Sequence, residues 1–201
     1  MSSENPLLGG RNAARVNNVF FSPKATVRCA GEPIFRSRAA RDLGCLLDVD
    51  PQIETWECLP LKLRLRDAGH IPDFLARYFT GEVRLVDACE LTGDPEIAAA
   101  AARMGLVHQF VSRPEREAGW RLRNARDLLR YGNFRCPLGD RIRVMSALDE
   151  FGSFTVAEGL TLFREAPPMA GLASLILQRI LTVDLDDELI NPDSTVRGAE
   201  R

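Results

Sequence analysis

The chain has 201 residues with a net charge of −2, 45% hydrophobic and 27% charged residues. That is enough for a packed core in one large domain, or in one domain with a small appendage. No apolar run approaches the ~20 residues of a membrane helix, and the start "MSSENPLLGGRNAARVNN" lacks the basic-then-apolar pattern of a secretory signal.

The five cysteines, Cys29, Cys45, Cys58, Cys89 and Cys136, are odd in number and widely spaced. They predict reduced thiols in a cytosol rather than disulfides or a zinc knuckle. His70 and His108 are the only histidines. They read as hydrogen-bonded strand or loop residues, too few for a histidine-based metal site. Charge is unevenly spread. Residues 1–45 carry seven Lys/Arg against three acids, residues 113–143 nine arginines against four acids, and residues 146–201 four arginines against ten acids. A basic front and an acidic tail suggest surfaces for two kinds of partner, although ordinary solvated charge gives similar counts.

Residues 1–31 have little periodicity and read as an arm, with a short strand at residues 19–21. "EPIFRSRAARDLGCLLDVDP" reads as one helix, with Phe35, Ala39, Leu43, Leu46 and Leu47 at helical spacing. Asp50–Pro51 ends it. "IETWECLPLKLRLRDAG" reads as an extended run in which Leu61, Leu63 and Leu65 alternate with Lys62, Arg64 and Arg66. "HIPDFLARYF" and "EVRLVDACEL" are two further strands joined by a turn at Thr80–Gly81. Asp94 and Pro95 open the next helix and Gly105 stops it. "LVHQFVS" is a short strand, and residues 114–131 read as one arginine-rich helix with Trp120 among its apolar residues.

These elements predict an α/β core, a central mixed sheet flanked by helices, over residues 32–135. Residues 131–139, with Gly132, Pro137 and Gly139, suggest a boundary. Residues 136–201 read as a small winged-helix-like module. It has three helices, a capping box at Thr155 and Glu158, and a hairpin in "LTVDLDDELI" turning at Asp186–Asp187.

The turn at Thr80 places Asp73 opposite Asp87, where opposed Cβ atoms lie ~5 Å apart. Two anions that close require a proton or a cation, and Mg²⁺ is the first candidate. Strand alternation aims Cys89 toward the face of Leu85 and Asp87.

The order of elements and several short strings resemble the TnsA-type transposon endonucleases of the PD-(D/E)XK superfamily. The strings are "SRAARD" at residues 37–42, "DVDPQIETWECLPL" at 48–61, "IPDF" at 71–74, "LVDAC" at 85–89 and "RNARDLL" at 123–129. The resemblance covers most of residues 35–197. It implies a restriction-endonuclease-like core, an expected bacterial cytoplasmic location, a metal site at Asp73 and Asp87, and a C-terminal module that docks a protein partner. Three family positions depart from the pattern. Ala40 falls in the glutamate slot, Leu59 in the glutamine slot and Cys89 in the lysine slot. Loss of a charge-stabilising lysine alone costs ~3–4 kcal/mol in transition-state stabilisation, and a cysteine thiol beside carboxylates is no substitute.

Catalysis is therefore expected to be impaired, with Mg²⁺ binding weak or absent. The expected role is binding of DNA and a protein partner, without a membrane. Arg36, Arg38, Arg41, Arg121, Arg123 and Arg126 are the candidate phosphate contacts, whose binding would be salt-dependent. Two alternatives stay open. One is an active Mg²⁺-dependent endonuclease rescued by a migrated Lys62, Glu54, Glu57 or Glu90. The other is an interaction scaffold without a DNA role.

Overall fold

In the computed structural model, residues 21–199 are described. Residues 19 and 20 of the short strand expected at 19–21, and nearly two-thirds of the arm, lie outside them, and Phe21 is not in a strand. Helix α1 spans Arg38–Val49. It starts later than the apolar period suggests because the Ser37 hydroxyl caps it, accepting from the Ala40 N–H at 3.0 Å. Phe35 therefore precedes the helix. Its ring packs on Trp56 and Phe74, with the Arg41 guanidinium over its face.

The long extended run expected after α1 is broken in two. β1 covers Ile53–Cys58, and the chain then leaves the sheet at Leu59, whose φ is +48°. Strands β2 (Leu63–Arg64) and β3 (Gly69–His70) form a separate two-stranded ribbon. The leucine alternation survives there: Leu63 is buried, while Lys62, Arg64 and Arg66 are exposed. β4 (Phe74–Tyr78) and β5 (Val83–Ala88) form the expected hairpin, with Phe74 opposite Val86 and Leu75 opposite Leu85. Helix α2 (Pro95–Ala102) has the predicted Asp94 cap and Pro95 start, and Gly105 beyond it has φ +74°. It crosses over to β6 (Val107–Val111), which lies parallel to β5.

The sheet order is β1-β4-β5-β6, a mixed sheet flanked by helices. On one face Ile53, Trp56, Phe74, Ala76 and Val86 pack against Ala40, Leu43 and Leu47 of α1. On the other, Leu75 and Leu85 pack against Ile97, Ala100 and Ala101 of α2, with Leu63 of the ribbon.

The single helix expected at residues 114–131 is two helices, α3 (Arg113–Arg116) and α4 (Arg121–Leu129). Gly119 (φ +59°) makes the break, where the Trp120 N–H donates to the Asp186 carbonyl at 3.2 Å. Trp120 is thereby half-exposed rather than part of the core.

The rest comprises α5 (Leu138–Phe151), β7 (Ser153–Thr155), α6 (Val156–Leu160), α7 (Pro168–Leu177), β8 (Leu181–Val183) and β9 (Thr195–Gly198). The Thr155–Glu158 capping box is present. The expected tight hairpin at Asp186–Asp187 is not. β8 pairs with the more distant β9, and β9 also takes β7, giving the order β7-β9-β8. Residues 184–194 are instead a loop. Asp184 turns it by accepting the Asp186 and Asp187 N–H groups, and the Asn124 side chain clamps it through Leu185, Glu188 and Ile190. One apolar cluster spans the two halves of the chain, joining Cys45, Leu122, Ala125 and Leu129 to Ala173, Leu177, Val183 and Leu185.

Candidate functional site

Asp73 immediately precedes β4, and Asp87 lies near the end of β5. The β4–β5 register continues by one step to set them side by side. The Asp73 N–H donates to Asp87 Oδ1 at 2.7 Å, and the Ala88 N–H donates to Asp73 Oδ2 at 3.0 Å. Each carboxylate is thus tied to the neighbouring strand. Both are buried.

Two kinds of cationic or polar groups close on them. Arg36, just before α1, donates to Asp73 Oδ1 through Nε at 3.0 Å and Nη2 at 2.6 Å. The same Nη2 lies 3.6 Å from Asp87 Oδ1. On the far side, His70 Nε2 and His108 Nε2 approach Asp87 Oδ2 at 2.6 and 2.7 Å. His70 arrives on the β2–β3 ribbon. His108 arrives on β6, where it neighbours Leu85 across the parallel pairing. Its side chain is 0% exposed and its ring stands edge-on to Phe110, with centroids 4.4 Å apart.

The electrostatic consequences differ for the two acids. Burial pushes the Asp73 carboxyl above its ordinary range, with Arg36 opposing that shift and Asp87 adding to it. Burial also opposes charge on Asp87. There the bonds from His108, His70 and the Asp73 N–H outweigh it and hold the carboxyl well below the usual range. Asp87 is therefore the fixed anion of the pair.

The other sequence-selected positions lie around this centre but do not join it. Ala40 is buried in the apolar cluster on the α1 face with Phe74 and Val86. Leu59 sits where the chain leaves β1, its N–H donating to the Asp73 carbonyl at 3.0 Å. Cys89 follows β5. Burial raises its thiol pKa, with Arg116 opposing and Glu115, Asp87 and Glu90 adding. Of the candidate migrated residues, Lys62 lies over Gly69, beside His70 in sequence. Glu57 faces Arg77 at 3.7 Å and Glu90 faces Arg116 at 3.8 Å, while Glu54 is exposed.

Among the described residues, His70, Asp87 and His108 form the one set of three His, Cys, Asp or Glu ligands whose donor atoms all lie within 4.8 Å of one another. The sequence matches no family model, and no curated protein matches it significantly.

Mg²⁺ prefers a near-octahedral shell of oxygens and keeps several waters. Here Asp73 Oδ1 faces Arg36, Asp73 Oδ2 faces a backbone N–H, and Asp87 Oδ2 faces two imidazoles. This donor set does not suit Mg²⁺.

The candidate phosphate contacts are not gathered into one groove. Arg41 is buried, donating to the Pro23 and Ala25 carbonyls at 2.7 and 2.8 Å, which corrects its reading as a phosphate contact. Arg38 and Arg126 both meet Asp42, at 3.4 and 2.5 Å. Arg121 grips Asp186 through two nitrogens at 2.7 and 2.6 Å. Arg123 is exposed.

Residue-by-residue reading of the sequence missed His70, His108 and the pairing role of Arg36. The available signals were slight. His70 lies three residues before Asp73, and His108 shares the strand period of Phe110. All five cysteines are free thiols, and no helix among the described residues is long and apolar enough to cross a membrane.

Proposed function

We propose that this chain is a TnsA-like, restriction-endonuclease-like protein that has lost DNA cleavage and acts as a binding component of a transposition or DNA-processing assembly. The observation that carries this reading is the Arg36 guanidinium, 2.6 Å from Asp73 Oδ1 and 3.6 Å from Asp87 Oδ1. A fixed cation there compensates the two acids, a task a nuclease assigns to its metal. Ala40 and Cys89 supply neither the ligand nor the ammonium that such catalysis needs. The order of a helix, a strand, a hairpin, a crossover helix and a parallel strand supports the same family reading. The C-terminal half combines three helices with a three-stranded sheet, which supports a winged-helix-like module. Its excess of acids disfavours a polyanion. Its exposed Leu138, Ile142 and Phe151 favour a protein partner instead.

Two assays on the full chain test the proposal. Plasmid nicking with Mg²⁺ or Mn²⁺ should give no metal-dependent product. Nicking abolished by Asp87→Ala would establish an active enzyme instead. Duplex DNA binding followed across a salt series should weaken steeply as salt rises. Undetectable or salt-independent binding would leave the scaffold reading in its place.

A further inference from the structure

We infer that His70, Asp87 and His108 form a binding site for one divalent transition-metal ion of the zinc type. This inference rests on the three side chains alone and stands apart from the nuclease reading.

The donors come from three separate strands, β3, β5 and β6, and meet at one point. Two imidazole nitrogens and one carboxylate oxygen are the ligand types of three-residue zinc sites, in which a water or another ligand takes the fourth position. They are poorly matched to Mg²⁺. The arrangement is also preorganised. Asp87 Oδ1 is held by the Asp73 N–H at 2.7 Å, which leaves Oδ2 aimed at both rings. Such outer bonds are what orient a metal-ligating carboxylate. His108 cannot swing away, because its side chain is wholly buried against Phe110. His70 is 23% exposed and marks the entry side.

Both Nε2 atoms converge on a single carboxylate oxygen. An ion held there takes the lone pair of each Nε2, and each neutral ring then carries its proton on Nδ1. Two features limit the affinity. His108 Nδ1 is buried without a hydrogen-bond partner, so the second-shell acceptor common in metal sites is missing. Loss of such a partner weakens binding about 10–100-fold. The Arg36 charge beside Asp87 Oδ1 also opposes a second cation. Micromolar binding is expected, weaker than a structural zinc site.

The test is calorimetric titration of the metal-free protein with Zn²⁺ and with Mg²⁺, together with the visible spectrum of the Co²⁺ form. One Zn²⁺ per chain should bind and Mg²⁺ should not. The Co²⁺ spectrum should show nitrogen and oxygen ligation. His108→Gln and His70→Ala should each weaken Zn²⁺ binding about 100-fold or more, beyond the second-shell effect. Glu54→Gln, at an exposed side chain that does not join this centre, should retain it within about threefold. His70 is partly exposed, so its variant keeps the test valid if the His108 variant fails to fold. Absence of one-to-one Zn²⁺ binding overturns the inference. So does binding unchanged in His70→Ala, or a cobalt–thiolate charge-transfer band, which would move the ion to the cysteines.

Discussion

Arg36 meets Asp73 with two nitrogens on one oxygen, Nε at 3.0 Å and Nη2 at 2.6 Å to Oδ1. The contact joins the segment before α1 to the start of β4, on an acid that burial alone would push toward neutrality. The arginine side chain is 34% exposed, so its own desolvation cost is modest while the acid's is large. The pair therefore makes a buried charge tolerable rather than adding a large net gain.

Replacing Arg36 with alanine should destabilise the protein by about 1–3 kcal/mol at pH 8, the range for a lost charged hydrogen bond. The sign of its pH dependence follows from Asp73. The folded acid already has a raised pKa, so its stability contribution is greatest at low pH and is lost as pH rises. Without Arg36 that loss grows. Urea unfolding should place Arg36→Ala close to wild type at pH 4 and well below it at pH 8.

Asp87 behaves in the opposite sense. Its folded pKa is depressed, so its contribution is present above the ordinary carboxylate range and is lost as pH falls through the folded value. Asp87→Asn removes the anion that two imidazoles share. A loss of about 2–4 kcal/mol at pH 7 is expected, shrinking under acid. Guanidinium unfolding curves at several pH values measure both the size and the trend.

Asp48 is a second buried acid and carries a distinct signature. Its Oδ1 accepts from the Val27 and Arg28 N–H groups and from Trp56 Nε1, while its Oδ2 has no partner. Burial dominates these bonds and pushes it from 3.8 up to about 6. That rise corresponds to ~3 kcal/mol, present below pH ~4 and lost as pH climbs through ~6. Asp48→Asn keeps the acceptor without the charge, so its stability should stay flatter than wild type between pH 4 and pH 7.

Asp140 closes the C-terminal half. It is buried at the first turn of α5 and accepts from the backbone of Arg164, Glu165 and Ala166, as well as from Arg143. Asp140→Ala strands those donors and should cost about 3 kcal/mol in thermal or chemical unfolding. Hydrogen exchange should show the first loss of protection at residues 164–166.

Local chemistry alone determined a good part of this protein. Asp94, Pro95 and Gly105 set the ends of α2, and Thr155 with Glu158 set the start of α6, because caps act within one turn. The β4–β5 hairpin follows from its own alternation and a tight turn, and with it the adjacency of Asp73 and Asp87. The acidic tail and the free cysteines were likewise legible as composition.

Only the tertiary structure decided what surrounds the two aspartates. His70 reaches Asp87 because the chain leaves β1 at Leu59 and returns as a separate ribbon. His108 reaches it through a parallel crossover, and Arg36 through the capped approach to α1. The choice of β9 as partner for both β7 and β8 is of the same kind. Side-chain period reports which face of a strand is buried, but not which distant strand will lie beside it. That pairing is chosen by how the faces pack once the whole sheet has formed.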